Sequence, residues 1–133
     1  RLVAQGGAAL FVDYGHVASR IGSSVQAVRR HGQVDWLANP GLADISAHVD
    51  FDQMAQIAMS RGARWLGTVE QGQWLAALGI DARAEALAGF APQHREALLA
   101  ARDRLVQPEQ MGSLFKVLGL SAPDWRGGAG FSP

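Results

Sequence analysis

Four consecutive residues, Asp13-Tyr14-Gly15-His16, follow directly on an apolar run at residues 8–12 (AALFV). A carboxylate placed just past a buried strand can accept hydrogen bonds from a cationic or hydroxylated ligand. Gly15 allows a sharp turn or a close backbone approach. Tyr14 offers a stacking face, and His16 can move a proton near neutral pH. The competing reading is a strand-ending turn in which Asp13 caps nearby amides. A second group, Asp44, Ser46, His48 and Asp50, alternates along the chain. An extended segment would set all four on one side. His48-Val49-Asp50 has a spacing that some metal sites use, but no other ligand is close in sequence and Asp50 also reads as a helix cap. A pocket-lining loop is the better reading of this group, and the plainer one makes His48 a loop-fixing hydrogen bonder.

Other chemistry-bearing residues carry less. Trp36, Trp65, Trp74 and Trp125 are scattered and read as core or rim residues. His31 and His94 read as surface residues. Gly22-Ser23-Ser24 lacks the context of a nucleophile elbow, and no dinucleotide or phosphate-binding glycine loop is present.

Elements that would position these residues can be read locally. Residues 8–12 suit a strand buried on both faces of a parallel sheet, with the polar residues at its carboxyl end, where open α/β sheets bind ligands. Residues 17–50 show no sustained period and read as a long ordered loop with a short strand at 25–28. Residues 51–61 read as a helix, with Asp50 as cap, Gln53 at the capping-box position and Phe51, Met54, Ile57 and Ala58 as its apolar face. Gly62 ends it, and residues 64–69 (RWLGTV) read as a strand. Residues 73–78, 82–87 and 92–106 read as three helices, and 114–120 (LFKVLGL) as a last strand. Pro123 and the glycines at 127, 128 and 130 read as a loose tail. Leu2 and Val3 read as a helix's last turn closed by Gly6-Gly7, which leads to the expectation that a preceding segment is missing.

Composition narrows the classes. The chain has 133 residues, enough for one domain, and 48% of them are hydrophobic. Its formal net charge is +0, with Arg29, Arg30 and His31 as the one basic cluster, read as a solvated turn. Nucleic acid is thereby disfavoured as a partner. The absence of cysteine removes disulfides, thiolate metal sites and a cysteine nucleophile, and fits a reducing compartment. No apolar run reaches the roughly 20 residues of a membrane span.

ALFVDYGH, SVQAVRRH, ADISAHVDF, GQWLAALGI and PEQMGSLFKVLGL, in this order, resemble the MidA family of class I S-adenosylmethionine-dependent methyltransferases. The resemblance runs from about Gly7 to Phe131. The family includes the mitochondrial complex I assembly factor that methylates an arginine of a respiratory subunit. The resemblance implies an α/β fold, specifically the C-terminal part of a Rossmann-like methyltransferase sheet. Residues 8–13 would be its fifth strand, and 64–69 and 114–120 its last two, with a helical insertion between them. The family's glycine-rich cofactor loop and ribose-binding acid have no counterpart here. Residues 1–133 are therefore expected to be the C-terminal portion of a single methyltransferase domain, with no cofactor-binding residues of their own.

The implied reaction of the full-length enzyme uses S-adenosylmethionine and a protein substrate, with an arginine as acceptor and a respiratory-complex subunit as candidate. Asp13, Tyr14 and His16 are the expected catalytic residues. Asp44, His48 and Asp50 are the expected substrate-binding residues, and no metal is expected. The implied location is the bacterial cytoplasm, or the mitochondrion in a eukaryote. Two other readings compete: a non-catalytic interaction or assembly module, and a metal-dependent hydrolase built on His16, His48 and Asp50.

Overall fold

The computed structural model describes residues 1–18 and 20–131. In chain order its elements are helix α1 (Leu2–Gln5), strands β1 (Ala8–His16), β2 (Gln26–Arg29), β3 (Gly32–Val34), β4 (Asp44–Ser46) and β5 (Val49–Asp50), helix α2 (Phe51–Ser60), strand β6 (Arg64–Glu70), helices α3 (Gln71–Ala77), α4 (Ile80–Phe90) and α5 (Arg95–Val106), and strand β7 (Phe115–Ser121). A 3-10 turn at Pro92–His94 leads into α5, and a wide turn at Pro108–Gly112 follows it. The expected α/β class holds.

Two sheets form, one of four strands in the order β5-β1-β7-β6 and one of three in the order β3-β2-β4. In the larger sheet β7 runs antiparallel to both β1 and β6, pairing Val117 with Val12 on one side and with Val69 on the other. β1 meets β5 in parallel only through Gly15↔Val49 and His16↔Asp50. Its outer edge before Gly15 has no strand beside it among the described residues. The expectation of a parallel sheet covering residues 8–12 on both faces is therefore corrected. Leu10, Phe11 and Val12 are 53%, 42% and 48% exposed. The reason is geometric: one long edge of β1 is paired, and its apolar faces are only partly covered.

Helix α2 covers one face of the sheet. Asp50 Oδ1 accepts a hydrogen bond from the Gln53 N–H at 2.9 Å, which satisfies one of the open donors of the first turn. Phe51 and Ala55 pack on Leu118 and Leu120, with Met54 and Ala58 alongside. Ile57, expected on this face, is exposed, and Ala55 takes its place. Gly15 is required by close approach rather than by a turn. A Cβ there would lie 2.7 and 2.8 Å from ring carbons of Phe51.

Between β6 and β7 the chain makes the expected helical insertion, with shifted helix ends. Its base is tight: the Gln71 side-chain amide donates to the Leu105 carbonyl at 2.9 Å, and Gly72 and Gly112 both abut the Val106 carbonyl. Arg95 and Glu85 tie α5 to α4 at 2.9 Å. The segment after β7 is not the loose tail expected. Phe131 is buried and covers a floor of small residues, where a Cβ on Gly119 would lie 2.7 Å from its ring. Trp74 Nε1 donates to the Ala129 carbonyl at 3.1 Å and its indole ring lies 6.2 Å from that of Phe131.

The region read as a long loop with a short strand at 25–28 holds the smaller sheet, whose middle strand β2 stands at that place. Arg30 and His31 form a two-residue turn between the paired Arg29 and Gly32, with φ values of 51° and 64°. Positive φ at both central positions is the geometry that matches strand twist in a tight hairpin. The basic cluster is thus a solvent-exposed turn, as its composition suggested.

Candidate functional site

The carboxyl end of β1 gathers most of the expected residues, and strand alternation sorts them. Tyr14 and His16 project from one face and Asp13 from the other. Parallel pairing sets His16 beside Asp50, at the point where β5 passes into α2. Tyr14 makes edge-on contacts with His48 (ring centroids 5.9 Å apart) and Phe115 (5.8 Å). His48 is fixed from behind, because its N–H donates to Ser24 Oγ at 3.0 Å. Its Nδ1 lies 3.4 Å from the Arg20 guanidinium.

Beside this cluster opens a pocket of about 320 Å³ lined by His16, Arg20, Ile21, Gly22, Ser23, Ser24 and Asp50. His16 Nδ1 is buried without a hydrogen-bond partner among the described residues. A buried polar atom of that kind calls for an explanation, and an unfilled ligand contact is one. The pocket therefore combines a cation, a carboxylate, two hydroxyls and a titratable imidazole. That set can hold a polar, charged group and exchange a proton with it.

Asp13 stands apart from the pocket lining. One carboxylate oxygen accepts from the Tyr14 N–H at 2.8 Å. Across the sheet Asp13 is in register with Lys116, and Lys116 with Glu70. Lys116 lies 3.4 Å from Glu70 and also donates to the Ser113 carbonyl. Its side chain is only 12% exposed. A carboxylate, an ammonium and a second carboxylate thus form one row across three strands. Asp44 is elsewhere: it pairs with Val28 in the smaller sheet and is exposed. The alternating line from Asp44 to Asp50 is broken because β4 and β5 belong to different sheets. No group of three or more potential metal-ligating His, Asp or Glu residues occurs among the described residues.

Sequence reasoning missed Arg20, Ser23, Ser24 and Lys116. Lys116 carried a signal, being the only lysine in the chain and set within an apolar strand. Ser23 and Ser24 were considered only as nucleophiles, whereas the structure uses their hydroxyls as acceptors for Val25 and His48 amides.

A mixed sheet whose last strand is inserted antiparallel between two parallel neighbours, with polar groups at the carboxyl edge, defines an α/β protein of methyltransferase type. The model of the S-adenosyl-L-methionine-dependent methyltransferase family matches residues 1–69, and the chain belongs to that family. The Drosophila melanogaster protein arginine methyltransferase NDUFAF7 homolog, mitochondrial, is 38% identical over 122 residues, covering 90% of this chain and 28% of that protein. The Homo sapiens protein arginine methyltransferase NDUFAF7, mitochondrial, is 35% identical over 122 residues, covering 90% and 27%. The chain thus spans about a quarter of the length of these relatives. A Burkholderia thailandensis crystal structure matches with a TM-score of 0.86 at 30% identity, over 96% of this chain and 36% of that one. A second structure from the same organism, bound to S-adenosyl-homocysteine, matches with a TM-score of 0.82 at 30% identity, over 95% and 34%.

The family's methyl donor is S-adenosyl-L-methionine. The pocket at β1 does not fit it. Its adenine needs an apolar slot, whereas this pocket is lined mainly by polar groups, Arg20, His16, Asp50 and two serines, and Asp50 opens a helix instead of following a second parallel strand beside a glycine loop.

Proposed function

We propose that the full-length protein transfers a methyl group from S-adenosyl-L-methionine to an arginine of a protein substrate, and that this chain supplies the substrate side of the site. The observation that carries the reading is the cluster at the carboxyl end of β1, where Asp50, His16, His48 and Tyr14 converge. Asp50 would accept hydrogen bonds from the guanidinium, since a carboxylate matches its paired N–H groups. Tyr14 would lie along its planar face. His16 would take the proton that the nitrogen sheds as its new N–C bond forms. Asp13, held in the row with Lys116, would set the charge behind the rim. Asp44, in the smaller sheet, would meet the substrate beyond the target residue.

On this reading residues 1–133 are the C-terminal portion of one methyltransferase domain. The cofactor cradle would lie elsewhere in the full-length protein, with a further strand along the open edge of β1. The relatives' names, protein arginine methyltransferase and mitochondrial, support a protein substrate and a mitochondrial setting in a eukaryote; by the family resemblance a respiratory-complex subunit would be the candidate, and in a bacterium the enzyme would act in the cytoplasm.

The test is to incubate the full-length protein with radiolabelled methyl donor and extract from cells lacking its gene. Labelled methylarginine on a protein after hydrolysis is expected. Label found on another residue type would remove arginine as the acceptor.

A further inference from the structure

Arg20 stands in the wall of the β1 pocket with its charge unclaimed. Its one polar contact among the described residues is the 3.4 Å approach to His48 Nδ1, and no ion pair there involves it. Asp50 lines the same pocket; one of its oxygens accepts from the Gln53 amide, the other is left for a ligand, and neither forms an ion pair with Arg20. Two hydroxyls stand nearby. Ser23 Oγ accepts from the Val25 N–H at 3.2 Å and Ser24 Oγ from the His48 N–H at 3.0 Å. A hydroxyl oxygen that already accepts still has its own O–H to donate. A guanidinium and two hydroxyl donors therefore share one pocket, and the guanidinium forms no ion pair among the described residues. A guanidinium fork matches a carboxylate in geometry and charge.

We propose that Arg20, assisted by Ser23 and Ser24, binds an Asp or Glu side chain of the protein substrate, so that the enzyme selects arginines with an acidic neighbour. This rests on the reading that the full-length protein methylates a protein arginine. Opposite charges on the two sides of the pocket then receive opposite charges on the substrate: Asp50 takes the target guanidinium and Arg20 takes the neighbouring carboxylate. A basic neighbour is turned away by the same cation, which gives selection by repulsion as well as attraction.

The test uses full-length protein and peptides with a single arginine, in which Glu, Gln or Lys is placed in turn at each of several flanking positions. The readout is the ratio of kcat/KM between the Glu and Gln peptides, which a general loss of activity cannot move. At one or more positions the unmodified enzyme is expected to favour Glu by about tenfold, the usual scale for a hydrogen bond to a charged group. R20E should abolish that preference and shift it toward Lys, while R20K should keep part of it. Equal rates for Glu and Gln at every position would overturn the proposal, as would R20E lowering all peptides alike. If the enzyme methylates a different residue type, the arginine reading falls, and the same scan around that residue decides carboxylate selection separately. If inorganic phosphate inhibits turnover of the Gln peptide and R20E removes that inhibition, the pocket takes a free anion and the substrate source is wrong.

Discussion

β1 and β7 lie side by side and carry similar apolar residues, but they live in different surroundings. Val117 and Leu118 of β7 are fully buried, while their register partners Val12 and Phe11 on β1 are nearly half exposed. Strand β7 has a neighbour on each edge and α2 on one face; β1 has β7 along one edge and only two residues of β5 on the other. Apolar sequence alone therefore does not bury a strand. What buries it is the number of edges and faces that other elements claim, and each large side chain left half out forgoes part of the roughly 1.5–3 kcal/mol its burial contributes.

This contrast can be broken by experiment. The largest expected effect is on assembly. The isolated chain should self-associate or fold only in part, because an open apolar edge and face invite pairing. Sedimentation that finds a compact, stable monomer would contradict the contrast. The same preparation is expected not to bind S-adenosyl-L-methionine appreciably in titration calorimetry, and micromolar binding would place a cofactor cradle within these residues after all.

Next in size is the effect on stability. In the full-length protein Leu118→Ala should cost about 2–5 kcal/mol in denaturant unfolding, as fully buried leucines do. Leu10→Ala sharpens the comparison. A similar loss there means that other parts of the full-length protein cover β1, whereas a change within about 0.5 kcal/mol means that it stays exposed.

A smaller effect concerns the rim. Asp13→Asn in the full-length protein should lower turnover by about three- to tenfold with little change in melting temperature, because it keeps shape and removes a charge that acts on the rim from a distance. The hydrogen bond from the Tyr14 amide to Asp13 gives the opposing view its footing. An asparagine oxygen can accept that bond equally well, so near-normal turnover would leave Asp13 as a turn former.

The parts of this molecule that sequence discloses are those held by local rules. Helix α2 announced itself through Asp50 and Gln53, and the cap is present. β6 and β7 stood out as short apolar runs between turn residues. The smaller sheet did so only in its middle strand, the short strand read at 25–28 being β2; β3 and β4 have only three residues each, and the β2–β3 hairpin turns on Arg30-His31 instead of the usual Asn-Gly. The seating of Phe131 on Gly67 and Gly119 depends on three distant positions fitting together, which no local pattern records. At the rim, His16 was legible from strand-end logic and Asp50 from its helix-capping position and the alternating group it closes. Arg20, Ser23 and Ser24 were not, since their meeting depends on how an aperiodic segment folds back over β5.

The antiparallel insertion of β7 also sets a clock. Ser121 is flanked by Ala8 on one side and Arg64 on the other, so the larger sheet cannot close until its latest strand is available. β1 and β6 run in the same direction with a strand-wide gap between them, and neither can zip onto the other in the meantime. Contacts this distant along the chain make folding slow, and a nascent polypeptide would hold two sticky ribbons apart until β7 leaves the ribosome. Until then the unpaired edges of both ribbons are open to aggregation.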